Sequence, residues 1–166
     1  NNQVRCIYEN KHHELWIGTS NGFCRFNRIK KTFESYYYLG SNRGKNIVNG
    51  IVEDDNNNLW LATEQYGLVK FDLTRKEYTF FKQNGQTKNT VANNNVYRII
   101  SDQSGILWIG TRSGLSKIDS KKRKFNLYRN ELFSDYKLQG NDISCVLADY
   151  NEDIFLGTKN DGITVI

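Results

Sequence analysis

Hydrophobic positions along the chain fall into short runs separated by polar turns. One stretch reads "NNVYRII" (94–100), then the polar "SDQSG", then "LWIGT" (107–111). A turn ending in Gly, the run "LSKID", a basic "SKKRK" and the run "FNLY" follow. Runs of this length, joined by Gly, Asn and Asp, predict β-strands in an antiparallel meander. No segment sustains a 3.6-residue period, so no helix is predicted. The central phrase recurs as "LWIGT" at 15–19, "LWLAT" at 59–63 and "IFLGT" at 154–158.

Aligned on Trp16, Trp60, Trp108 and Phe155, the units are spaced by 44, 48 and 47 residues. Fourteen positions before each anchor stand Asn2, Asn46, Asn94 and Asn141. Twelve before are Val4, Val48, Val96 and Ile143, and nine before are Ile7, Ile51, Ile99 and Val146. Six before are Asn10, Asp54, Asp102 and Asp149; three after are Thr19, Thr63, Thr111 and Thr158. Six or seven after are Gly22, Gly67, Gly114 and Gly162. A four-stranded unit of this period is a propeller blade. A lone four-stranded sheet cannot bury both faces, whereas blades stacked around an axis can. The four anchors are therefore expected to fill the wedges between blades, and the four Thr and their Gly to shape the strand ends. The repeated phrase is a packing code.

The fold class is thus all-β: one propeller segment over 1–166, with blades at about 2–38, 46–82, 94–129 and 141–166, the last lacking its outer strand. This is a partial ring of about three and three-quarter blades. The chain opens at Asn1 and stops at Ile166 inside a blade. It is expected to be a fragment of a larger ring, or a piece that a second protomer closes.

Composition adds limits. The 166 residues contain no Pro or Met and are rich in Asn, Tyr, Phe and Gly. No run approaches the ~18 apolar residues of a membrane span. The three cysteines, Cys6, Cys24 and Cys145, match no metal or redox spacing and are expected to pack as small buried residues. "DDNNN" at 54–58 is rich in oxygen donors. A calcium loop would need Gly at its sixth position and Glu at its twelfth, where Leu59 and Gln65 stand. His12 and His13 lie in a polar turn and are expected to be exposed. No metal and no cofactor are expected. The net charge of +5 is concentrated at Arg28, Lys30 and Lys31, at Arg75 and Lys76, and at Lys121 to Lys124. These are one repeat position, read as solvated hairpin tips that limit edge pairing. Nucleic acid is not expected as a partner, because Phe33, Phe125 and Tyr128 fall at core-like positions and leave no stacking platform.

The phrase D-x-x-G-x-L-W-I-G-T-x-x-G-L-x-x-I-D at 102–119 resembles the two-component regulator propeller repeat, as do 53–72 and 10–27. The first repeat departs from it at Asn10, where Asp is usual, and the fourth at Phe155. The resemblance implies a piece of the periplasmic sensor region of hybrid two-component systems of Bacteroidetes. In that family two seven-bladed propellers and a β-sandwich domain precede a membrane helix, a histidine kinase and a response regulator. The implied ligands are oligosaccharides from glycan breakdown, and the membrane is reached only through a downstream segment.

A propeller glycosidase or lyase is the enzymatic rival, and a protein-binding scaffold the other. The sialidase Asp-box places Asp five residues before Trp. Here Asp102 is six before Trp108, and Asp55, at five before Trp60, lacks the Gly because Asn57 stands there. A glycosidase also needs two carboxylates facing one sugar, whereas most acids here (Asp54, Asp102, Asp149, Asp72 and Asp119) sit at repeat turns. No catalytic residue is assigned and the segment is read as non-enzymatic. Recognition is expected on the loops that vary between repeats, with Arg43, Tyr66, Arg112, Tyr136 and Lys159 as candidate ligand-binding residues. Aromatic rings suit sugar faces, and Arg and Lys suit acidic sugars.

Overall fold

The computed structural model describes residues 3–40, 45–83, 90–119, 124–130 and 138–166. They form strands and turns, with no helix among them. The first blade is β1 (Val4–Glu9), β2 (Leu15–Thr19), β3 (Phe23–Asn27) and β4 (Thr32–Tyr36). The second is β5 (Val48–Glu53), β6 (Asn58–Thr63), β7 (Leu68–Asp72) and β8 (Tyr78–Phe81). The third is β9 (Val96–Ser101), β10 (Ile106–Thr111), β11 (Gly114–Asp119) and β12 (Lys124–Tyr128). The fourth holds β13 (Ile143–Ala148), β14 (Ile154–Thr158) and β15 (Ile163–Val165). Each sheet is an antiparallel meander in chain order, and the first strands of successive blades lie side by side. This is the all-β, bladed architecture that the repeat predicts.

The core lies between blades. Trp16 and Phe23 of the first pack on Ile51, Leu61 and Val69 of the second. Trp60 and Leu68 meet Ile99 and Ile109 of the third. Trp108 and Leu115 meet Val146 and Leu156 of the fourth. One blade's anchor thus fills the space over the next blade's inner strands. Position in the stack decides burial: Ile51, Ile99 and Val146 are 4%, 6% and 8% exposed, while the equivalent Ile7 is 66% exposed. No described blade precedes Ile7. The outward face of the fourth blade exposes Leu147, Ile163 and Val165 in the same way.

The expectation that all three cysteines are buried needs correction. All are free; Cys6 and Cys24 are half-buried and Cys145 is exposed. Cys6 and Cys145 hold the same repeat position. Cys6 is covered by Val48 of the next blade, to whose carbonyl its Sγ donates at 3.9 Å, and burial pushes its thiol up to about 11. Among the described residues no blade covers Cys145. His12 and His13 are both exposed.

The letters of the repeated phrase each have a physical reason. The Thr hydroxyl donates to the Gly carbonyl closing the next turn: Thr19 to Gly22 at 2.9 Å, Thr63 to Gly67 and Thr111 to Gly114 at 2.7 Å, and Thr158 to Gly162 at 3.0 Å. The Gly before that Thr gives the neighbouring blade room: a Cβ on Gly110 would stand 2.9 Å from Ile143 Cγ2. Blade two has Ala62 instead, and its cross-strand partner there is Gly50. The methyl group has moved across the ladder from one residue to the other. Between blades, the Asn46 and Asn141 carbonyls each accept the N–H of the preceding blade's turn Gly at 2.6 Å, and that of Asn94 does so at 2.9 Å.

Candidate functional site

The base of the ring carries the turns between first and second strands, and its acids serve the fold. Asp54 Oδ1 accepts the N–H groups of Asn56 and Asn58 at 2.9 and 3.0 Å, and its Oδ2 accepts the Trp60 indole at 2.8 Å. Asp102 repeats this with Ser104, Ile106 and Trp108 at 2.9, 3.0 and 2.8 Å. One carboxylate therefore caps a turn and clips the anchor. Asp149 caps its turn through Asn151 and Asp153, and Phe155 offers no indole. Asp72 caps the third-to-fourth turn through the N–H groups of Thr74 and Arg75, bonds that hold its carboxyl below the usual range. Asp54, Asp102, Asp149 and Asp72 each serve their own turn, and the described residues hold no group of His, Cys, Asp or Glu placed to bind a metal.

The opposite end is the mouth, where the turns between second and third strands meet the inner strands. Each inner strand has a register irregularity there: between Val4 and Cys6, Val48 and Gly50, Val96 and Arg98, and Ile143 and Cys145. The residues inside these bulges are Arg5, Asn49, Tyr97 and Ser144. A bulge inserts one residue into the ladder and re-aims its side chain. All four line a single cleft of about 420 Å³, together with Glu64, Arg98, Asp142 and Lys159.

The polar groups of this cleft are linked. Arg5 Nε donates to Ser20 Oγ at 3.0 Å and Arg5 Nη1 to Asn49 Oδ1 at 3.5 Å. Asn49 Nδ2 donates to the Val96 carbonyl at 2.9 Å, so the second blade is stapled to the third. Ser144 donates to Gly157 O at 3.1 Å. Asp142 Oδ1 is buried with no hydrogen-bond partner. Burial first, then Asp142, raises the Tyr97 pKa, and the Arg112 charge opposes the shift. No ion pair joins Arg5, Arg98 or Lys159 to another described residue.

Of the sequence candidates, Lys159 lines this cleft and Arg112 acts electrostatically on its Tyr97. Tyr66 does not line it: its ring packs against Tyr38 at 5.8 Å, with Lys82 Nζ 4.3 Å above it. Arg43 and Tyr136 lie outside the described residues. Sequence reasoning missed Arg5, Asn49, Tyr97 and Ser144. The signal was present: eleven positions before the anchor the blades disagree completely, one residue after a position where all are β-branched.

Comparison with known proteins bears on the repeat. The family model for the two component regulator propeller matches residues 1–21, 37–65 and 90–113. Those three segments of the chain are similar to two-component regulator propeller repeats. A histidine kinase, P4, of Formosa agariphila is 34% identical over 71 residues, 39% of this chain and 5% of that protein. The extracellular domain of the B. thetaiotaomicron hybrid two component system BT3049 superposes over 100% of this chain with TM-score 0.85 and 21% identity. That of the one component system BT4673 of the same organism superposes over 100% with TM-score 0.81 and 25% identity. This chain spans 23% and 22% of those two structures. Each matched segment takes in an inner strand and the strand bearing Trp16, Trp60 or Trp108.

Proposed function

We propose that this segment belongs to the signal-receiving region of a hybrid two-component system. In this reading it lies outside the cytoplasm, in the periplasm, and passes its signal to a histidine kinase elsewhere in the same protein. The regulator propeller repeats and the extracellular domains that share the fold support it. In this reading the segment itself is a binding module rather than an enzyme, which the use of Asp54 and Asp102 to hold turns and indoles supports.

The ligand in this reading is an oligosaccharide, and the mouth is where it is met. The observation that carries this is the cleft: on one constant frame, four blades each present a different residue to one 420 Å³ opening. An aromatic ring beside Arg, Asn and carboxylate groups is the mixture that sugar faces and hydroxyl groups require. Binding would act by favouring one arrangement of propellers or protomers over another.

The test is a glycan-binding screen on the complete outer region, followed by kinase autophosphorylation in membranes. One glycan class that binds and changes phosphorylation supports the reading. Capture of a protein partner with no glycan response would replace it with a scaffold role. Glycan turnover lost with a single carboxylate variant would replace it with an enzyme.

A further inference from the structure

We infer that the bulge position of the inner strands is the specificity determinant of this mouth, with Tyr97 as the stacking platform and Arg5 as the anion clamp for a sugar bearing a carboxylate or a sulfate. This rests on the reading of the mouth as an oligosaccharide site and adds its determinants and the ligand's charge.

Three observations lead there. First, the bulge recurs in all four inner strands at one repeat position, although the residue inside it is Arg5, Asn49, Tyr97 or Ser144. A backbone feature kept while its side chain changes is built to present something. Packing does not explain it, since the buried β-branched neighbours Val48, Val96 and Ile143 are the ones that fill the core.

Second, the four residues divide by what they do. Asn49 and Ser144 bond to backbone carbonyls and hold the frame. Arg5 is held by two neutral partners, Ser20 and Asn49, with no carboxylate in ion-pair reach among the described residues. A guanidinium fixed by uncharged groups keeps its charge and its remaining N–H donors for an anion. Such a fork binds carboxylate and sulfate oxygens in pairs and loses little freedom on doing so. Arg98 and Lys159, also on the cleft, bring its cations to three against the two carboxylates Glu64 and Asp142, so the lining keeps a positive excess. Third, Tyr97 is half-buried and lines the cleft, the one aromatic residue among its lining. Asp142 stands close enough to act on it. The unpartnered Oδ1 of Asp142 is an acceptor for a ligand hydroxyl.

The experiment uses the complete outer region and titration calorimetry with three oligosaccharide probes of equal length: neutral, uronate-bearing and sulfated. The uronate and sulfated arms separate the two sources of charge. At least one charged probe is expected to bind tenfold or more tightly than the neutral one, with the preference shrinking as salt is raised. Arg5→Gln is expected to remove that preference, and Arg5→Lys to restore it only in part. Tyr97→Ala is expected to weaken binding tenfold or more, and Tyr97→Phe to leave it within twofold. Melting curves identify any variant that has lost its fold, for which Arg5→Lys and Tyr97→Phe remain readable. Binding of the neutral probe alone, or charged-probe binding untouched by Arg5→Gln and Tyr97→Ala, overturns the inference while the oligosaccharide reading stands. Binding of no probe overturns both.

Discussion

The two ends of the ring treat the same repeat in opposite ways. At the base, an acid six residues before an indole is kept, because one carboxylate completes both a turn and a core side chain. At the mouth, the bulge is kept and its residue is not. Side chains are constant where they close the interior and vary where they border a cleft. The exception at the base sharpens this. Asn10 replaces the acid in the first blade, and its Nδ2 donates instead to Glu14 Oε2 at 3.0 Å and Glu53 Oε2 at 2.7 Å. The Trp16 indole is left buried without a partner. A carboxylate there would serve the indole but would stand against two others. The neighbouring blade's Glu53 thus explains the departure.

The comparison can be broken most forcefully at an anchor. Trp60→Ala empties the wedge between the second and third blades and is expected to cost about 3–5 kcal/mol in urea denaturation of the complete outer region. Next is Asp54→Ala, which strands the buried Trp60 indole and the turn N–H groups. About 2–3 kcal/mol is expected, and Asp54→Asn should recover part of it by keeping one acceptor. Asn10→Asp is expected to cost about 1–2 kcal/mol near neutral pH, through repulsion from Glu14 and Glu53. Adding Glu53→Gln should return most of that, and a double variant no better than Asn10→Asp alone would remove Glu53 from the explanation. In the fourth blade Phe155→Trp places an indole near Asp149, whose Oδ1 serves the turn. A gain of about 0.5–1 kcal/mol is expected, the net contribution of one hydrogen bond. Smallest is Tyr97→Ala, expected to change stability by no more than about 1 kcal/mol, because the ring fills no wedge.

Much of the fold was legible in the sequence because packing repeats: Trp60, Thr63 and Gly67 have partners at fixed offsets, and the same geometry imposes the same residues. The mouth was less legible. Lys159 could be found by asking which loops vary, but Arg5 and Tyr97 sit inside strands, where alternation hides them. A bulge is invisible to a count of apolar positions, since it adds a residue without altering the phrase around it. Tyr66 misled for the related reason that an aromatic residue in a variable turn can fold back onto the protein, here onto Tyr38 at the end of the preceding blade.

The central claim is that the base is structure and the mouth is recognition. It is tested most directly by one paired measurement on Tyr97→Ala in the complete outer region: its melting temperature and its affinity for the tightest-binding of the three oligosaccharide probes. The account expects the melt to stay within about 4 °C of wild type, an upper bound on the shift that about 1 kcal/mol produces in a domain of about 150–250 residues or more, while affinity falls tenfold or more. An unchanged affinity, or a melt lowered as far as that of Asp54→Ala, would contradict it.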